Sequence, residues 1–224
     1  MIDQLPWEKD LPFAPLRVVW ILVSIFLLPS IFITALSIPE TSAILVSSLV
    51  ALPACFGRKE ELGFKSIISG SDLLIVAAAY AGIVFLVAII SPLWVEVLNK
   101  LQISYATEQD IAALFRDAGF LDHILLFIST CIITPIVEEV LFRRIIYGWF
   151  CDLTDSRNAF FITAACFSIA HFFILGIPGL FIMGIAFQLV YLWKKNLLLS
   201  ILLHALVNTI ATLCQIFFPE KFPG

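Results

Sequence analysis

Apolar runs of membrane-spanning length recur along most of this chain, and that repetition limits its possible folds more than any other feature. A helix crossing a hydrocarbon core needs about 20 predominantly apolar residues. Seven stretches read as candidate spans. They cover residues 18–38, 41–56 and 73–94, a fourth from about 121 through Glu138 and Glu139, one from just after Arg157 to about 175, and then 178–193 and 197–218. The stretch 41–56 is the shortest of the first three. Residues 96–120 carry Lys100, Glu108, Asp110, Arg116 and Asp117 and read as an amphipathic connector. In lipid the backbone must satisfy its own hydrogen bonds, which leaves helices or closed barrels. Barrel strands are about ten residues long and alternate in polarity, whereas these runs are longer and continuous. The expected fold is an all-α polytopic transmembrane bundle of about seven spans. Residues 1–120 form its N-terminal region and 121–218 its core.

Composition agrees with a membrane bundle. Charged residues make up 13% of the chain, against roughly 25% in ordinary soluble domains, and the mean hydropathy is +1.05. No basic patch with interleaved aromatics is present, which argues against nucleic acid as a partner. The five cysteines are odd in number, contain no CxxC and lie mostly in apolar stretches, so free, packed thiols are expected. The N-terminus lacks a basic segment followed by a short apolar core, and no cleavable signal peptide is expected. With a cytoplasmic N-terminus and seven spans, Lys9, Arg17, Arg58, Lys59, Lys65, Arg143, Arg144, Arg157, Lys194 and Lys195 fall on the cytoplasmic side. Lys100, Arg116 and Lys221 fall on the other. Such an excess is the positive-inside pattern.

Ionisable side chains at membrane depth are costly and are usually functional or paired. Three groups stand out. In Glu138-Glu139-Val-Leu-Phe-Arg143, Glu139 precedes Arg143 by four residues, the favourable order for a helical ion pair. Glu138 points about 100° away and stays available for another task. Pro135, three residues earlier, predicts a kink. In the second group, Phe167 and His171 share a helix face. In the third, His204 and Asn208 point to one side of the last span. At 1.5 Å per residue from the flanking basic pairs, Glu138 lies about 8 Å and His204 about 14 Å inside the cytoplasmic interface. His171 sits at comparable height if the fourth and fifth spans form an antiparallel hairpin. His123 beside Asp122 reads as interfacial, and Gln188 and Gln215 as interhelical hydrogen-bond donors.

The run Thr-Pro-Ile-Val-Glu-Glu-Val-Leu-Phe-Arg at 134–143 resembles the EExxxR motif of the CAAX prenyl protease and bacteriocin-processing (CPBP) family. Phe167 to His171 is similar to its FxxxH motif, and His204 to Asn208 to its final HxxxN motif. The resemblance covers about the last hundred residues. Arg144 departs from it, since many members have glycine after the motif arginine. The resemblance implies a glutamate-dependent intramembrane endopeptidase with no required metal or other cofactor. Glu138 would then activate water and His171 help hold it. His204 and Asn208 would stabilise the oxyanion, while Glu139, Arg143 and Phe167 support them. The partners implied are membrane lipids and a hydrophobic or lipid-anchored, CAAX-like peptide, cut on the cytoplasmic side of what reads as a prokaryotic cell membrane. A hydrolytic zinc on Glu138, His171 and His204 remains a chemical rival. A non-catalytic immunity or scaffold protein, or a transporter that relays protons through the same residues, are the other readings.

Overall fold

A computed structural model describes residues 14–55, 68–107, 114–115 and 118–218. Seven helical segments are laid out in full among the described residues: α1 (Pro15–Leu36), α2 (Glu40–Cys55), α3 (Gly70–Lys100), α4 (Phe120–Leu153), α5 (Ser156–Ile169), α6 (Ile177–Lys194) and α7 (Leu197–Phe217). No strand occurs among the described residues. Among the described residues, five helices are long and apolar enough to cross a membrane: α1, α3, α4, α7, and α6 with its preceding 3-10 turn Ile174–Gly176. The protein is a multi-pass integral membrane protein.

Two of the expected spans, the second and the fifth, are helices too short to cross a hydrocarbon core of about 30 Å upright. Helix α2 tightens into a 3-10 turn at Leu52–Cys55, where Pro53 removes an amide donor. Helix α5 has 14 residues, about 21 Å of rise against a hydrocarbon core of about 30 Å. It stops at Ile169, well before residue 175, because the chain turns back at Phe172, whose φ is 50°. The start of the expected amphipathic connector, Glu96–Lys100, is the last turn of α3, carrying a Lys100–Glu96 ion pair of 2.6 Å. Glu108, Asp110, Arg116 and Asp117 lie outside the described residues, as do Lys9, Arg58, Lys59, Lys65 and Lys221.

Local chemistry fixes where the helices begin. Ser69 and Asp72 form a reciprocal capping box at the head of α3. Lys194 Nζ then reaches Asp72 Oδ1 at 2.6 Å and ties the end of α6 to that cap. Asp155 accepts from the amides of Arg157 and Asn158 to start α5, and Asn196 accepts from Leu198 to start α7.

Helix α4 carries the first polar group and is not a regular α-helix. It widens into π-helical turns at Ile128–Ile133 and Val140–Ile146. The first π turn ends just before Pro135. The extra residue per turn makes room for the carbonyl that the proline ring would otherwise strike. Helix α7 lies along α4 through a stripe spaced every four residues. Ser200 and His204 contact Glu139, Asn208 Nδ2 donates to the Thr130 carbonyl at 2.9 Å, and Thr212 Oγ1 lies 3.5 Å from Cys131 Sγ.

Helices α5 and α6 meet at Gly184, where an added Cβ would stand 3.1 Å from Ala164 Cα and 3.2 Å from its carbonyl oxygen. Backbone cannot yield as a side-chain tip can. Gly184→Leu is therefore expected to cost at least about 1–3 kcal/mol from overpacking, read as a lower midpoint of thermal unfolding in detergent. Gln188, one turn further on, corrects an expectation: it is fully buried, yet neither amide atom has a hydrogen-bond partner among the described residues.

Candidate active site

The site is built on α4, α5 and α7, and its foundation is Glu139. This carboxylate has no exposed surface. A charge so placed survives only if its acceptor positions are filled. Arg143 Nε donates to Oε2 at 2.9 Å and Arg143 Nη2 to Oε1 at 3.4 Å. Ser200 Oγ donates to Oε2, and His204 Nδ1 lies 3.0 Å from Oε1. The spacing of Glu139 and Arg143 predicted their pairing. Its complete burial was not predicted. The Arg143 guanidinium also lies 4.9 Å from the Phe167 ring centre and 5.6 Å from that of Phe187, within cation–π range.

Glu138 has a different environment. Its Oε2 is buried and makes no hydrogen bond among the described residues, although the side chain as a whole keeps 16% of its surface exposed. His171 Nε2 lies 3.9 Å and His204 Nε2 3.8 Å from that oxygen. Both gaps exceed the roughly 3.2 Å limit of a direct N···O hydrogen bond. They fit a small molecule bridging the groups.

The orientation of each imidazole follows from its other nitrogen. His171 lies just past the end of α5, and its Nδ1 is 2.8 Å from the Phe167 carbonyl. A carbonyl only accepts, so this Nδ1 carries the proton. His204 Nδ1 faces a carboxylate surrounded by donors, and the same logic protonates it. In the neutral form both rings thus turn a bare Nε2 toward Glu138. Aromatic walls hold the rings in place. Phe187 stacks on His204 at 4.7 Å and 22°, and Phe167 lies 4.8 Å from His171 and 5.8 Å from His204. Trp94 Nε1 donates to the Ile174 carbonyl at 2.9 Å and holds the loop that follows His171.

Of the residues singled out in the sequence, Glu138, His171 and His204 converge. Glu139, Arg143 and Phe167 lie directly behind them. Asn208 uses one amide N–H on the Thr130 carbonyl, which leaves one of its two for other work. Sequence reasoning missed Ser200 and Phe187. Ser200 had a signal, since it precedes His204 by four residues just as Asn208 follows it by four. Phe187 had none, being one apolar residue in an apolar helix. His123 is remote from the site; its Nδ1 lies 3.0 Å from the Gly119 carbonyl at the head of α4.

A polar site of two glutamates and two histidines inside a transmembrane helix bundle defines a narrow class of membrane protein. Residues 120–210, about two fifths of the chain, match the family described as type II CAAX prenyl endopeptidase Rce1-like. Among curated proteins, the membrane-embedded CAAX protease MroQ of Staphylococcus aureus strain USA300 is 37% identical over 95 residues, 40% of this chain and 38% of that protein. YdiL of Bacillus subtilis strain 168, described as a candidate membrane peptidase, is 30% identical over 92 residues, 41% of this chain and 38% of its own length. The matched stretch thus spans well under half of either relative. No solved structure matches the chain.

Proposed function

We propose that this protein is an intramembrane endopeptidase that hydrolyses a peptide bond in a hydrophobic or lipid-anchored, CAAX-like substrate with a glutamate-activated water. One observation carries the reading: a buried, unbonded carboxylate oxygen of Glu138 faces two oriented imidazole nitrogens at 3.8 and 3.9 Å. The family match and the names of the bacterial relatives support protease chemistry in a prokaryotic membrane.

In this reading a water held between Glu138 and the Nε2 atoms loses a proton to Glu138 as it attacks the scissile carbonyl. Glu138 then passes the proton to the leaving nitrogen. When His204 Nε2 carries a proton, it becomes a donor for the tetrahedral oxyanion. A donor of that kind contributes about 10²–10³ in rate. The free amide N–H of Asn208 is the second candidate donor. Ser168, the nearby hydroxyl, donates to the Ile177 carbonyl at 2.6 Å and is poorly placed as a nucleophile.

A hydrolytic zinc on Glu138, His171 and His204 is the rival reading of the same three side chains. The test is cleavage of a hydrophobic peptide library by the purified protein, with and without a strong chelator. Glutamate-dependent hydrolysis predicts defined cleavage at an unchanged rate after chelation. Loss of rate with chelator, restored by zinc, contradicts it.

A further inference from the structure

The reaction places demands on His204 that His204 alone cannot meet. Its ring must keep one tautomer and one orientation while Nε2 gains and shares a proton. The residue that secures this lies outside the three recognised motifs. Ser200 sits one turn before His204 on α7, is fully buried, and donates its hydroxyl hydrogen to Glu139 Oε2. The other oxygen of the same carboxylate, Oε1, receives His204 Nδ1 at 3.0 Å.

We propose that Ser200 is a positioning residue for the hydrolysis. With Ser200 in place, Glu139 is gripped by α7 on both of its oxygens, at two successive turns, and its plane is fixed relative to His204. Arg143 cannot supply this restraint. It lies on α4 with Glu139, four residues away, so the two move together. Without the Ser200 hydroxyl the carboxylate pivots about its one remaining contact with α7, Oε1 to His204 Nδ1. The ring then loses its fixed alignment with Glu138. A serine hydroxyl has a single hydrogen. The Phe187 carbonyl, 3.1 Å from Ser200 Oγ, is the only rival acceptor in contact with it among the described residues. The carboxylate, being charged, takes the hydrogen. The groups facing His204 are Glu138, Glu139 and Phe187, with Phe167 behind and Arg143 beyond Glu139.

This inference rests on the proposed hydrolysis for its kinetic arm only. The test compares the full-length wild type with Ser200→Ala and Ser200→Thr. One readout is turnover. The other is the ¹⁵N spectrum of labelled histidine, with His204 assigned by difference against His123 and His171 variants. Ser200→Ala is expected to lower kcat about tenfold with KM within twofold of wild type. The distinct Nδ1–H and bare Nε2 signals of His204 should collapse toward an exchange-averaged pair. Ser200→Thr, which keeps the hydroxyl, should restore both readouts. Unchanged His204 signals in Ser200→Ala overturn the proposal, as does a change confined to KM. If wild type cleaves nothing, the hydrolytic reading fails, and the nitrogen signals still decide whether Ser200 fixes His204.

Discussion

Glu138→Gln is expected to lower turnover by about 10²–10⁴-fold, the usual worth of a positioned general base, and to leave the fold intact. The physical contrast with its neighbour drives both halves of this prediction. Glutamine keeps the size of the side chain and loses the ability to take a proton from water. The Glu138 oxygen facing the histidines accepts no hydrogen bond among the described residues, so no hydrogen bond of that atom seen there is lost. The midpoint of thermal unfolding in detergent should therefore stay within about 2 °C of wild type. Cleavage that survives in Glu138→Gln would sink the general-base assignment, whereas cellular function that survives without cleavage would favour a non-catalytic role for the bundle. Loss of both activity and stability would show that Glu138 is structural.

Arg143→Met should do the reverse and unfold the protein at markedly lower temperature. The arginine fills buried space between Phe167 and Phe187 and donates twice to a carboxylate with no access to solvent. Removing one member of a buried pair strands the other charge and costs about 3–5 kcal/mol. Methionine restores some volume and none of the donors, leaving Glu139 with Ser200 and His204 alone. Arg143→Lys should recover only part of the loss, because an ammonium group cannot reproduce the guanidinium fork. Thermal unfolding in detergent checks both variants. Unfolding midpoints within a degree or two of wild type would show that the buried pair contributes little to the fold.

The helical, membrane-embedded architecture was legible because long apolar runs have few physical solutions in lipid. Span lengths were less legible. Hydropathy does not register that Phe172 will adopt a left-handed conformation and turn the chain back just after His171. It also cannot mark the π turns on either side of Pro135 and Glu138. The polar group stood out through cost, since ionisable side chains such as Glu138, His171 and His204 are expensive in so apolar a chain, and the four-residue step from Glu139 to Arg143 told which carboxylate would be neutralised. Ser200 stayed hidden because a serine in an apolar helix is cheap, satisfying itself on a backbone carbonyl in most settings. Gln188 misled for the opposite reason. Its amide was expected to join helices, and it is buried with neither end hydrogen-bonded among the described residues.

The central claim is that water held at Glu138 is the direct nucleophile, and isotope transfer tests it most directly. Single-turnover cleavage in ¹⁸O-labelled water, quenched at intervals, would be read by mass spectrometry of both the new carboxyl terminus and the intact enzyme. Direct attack by water predicts one ¹⁸O in the product at the earliest time point and an enzyme mass that never changes. An acyl adduct on the enzyme that forms before the carboxyl product, for instance on Cys166 or Ser168, would contradict it.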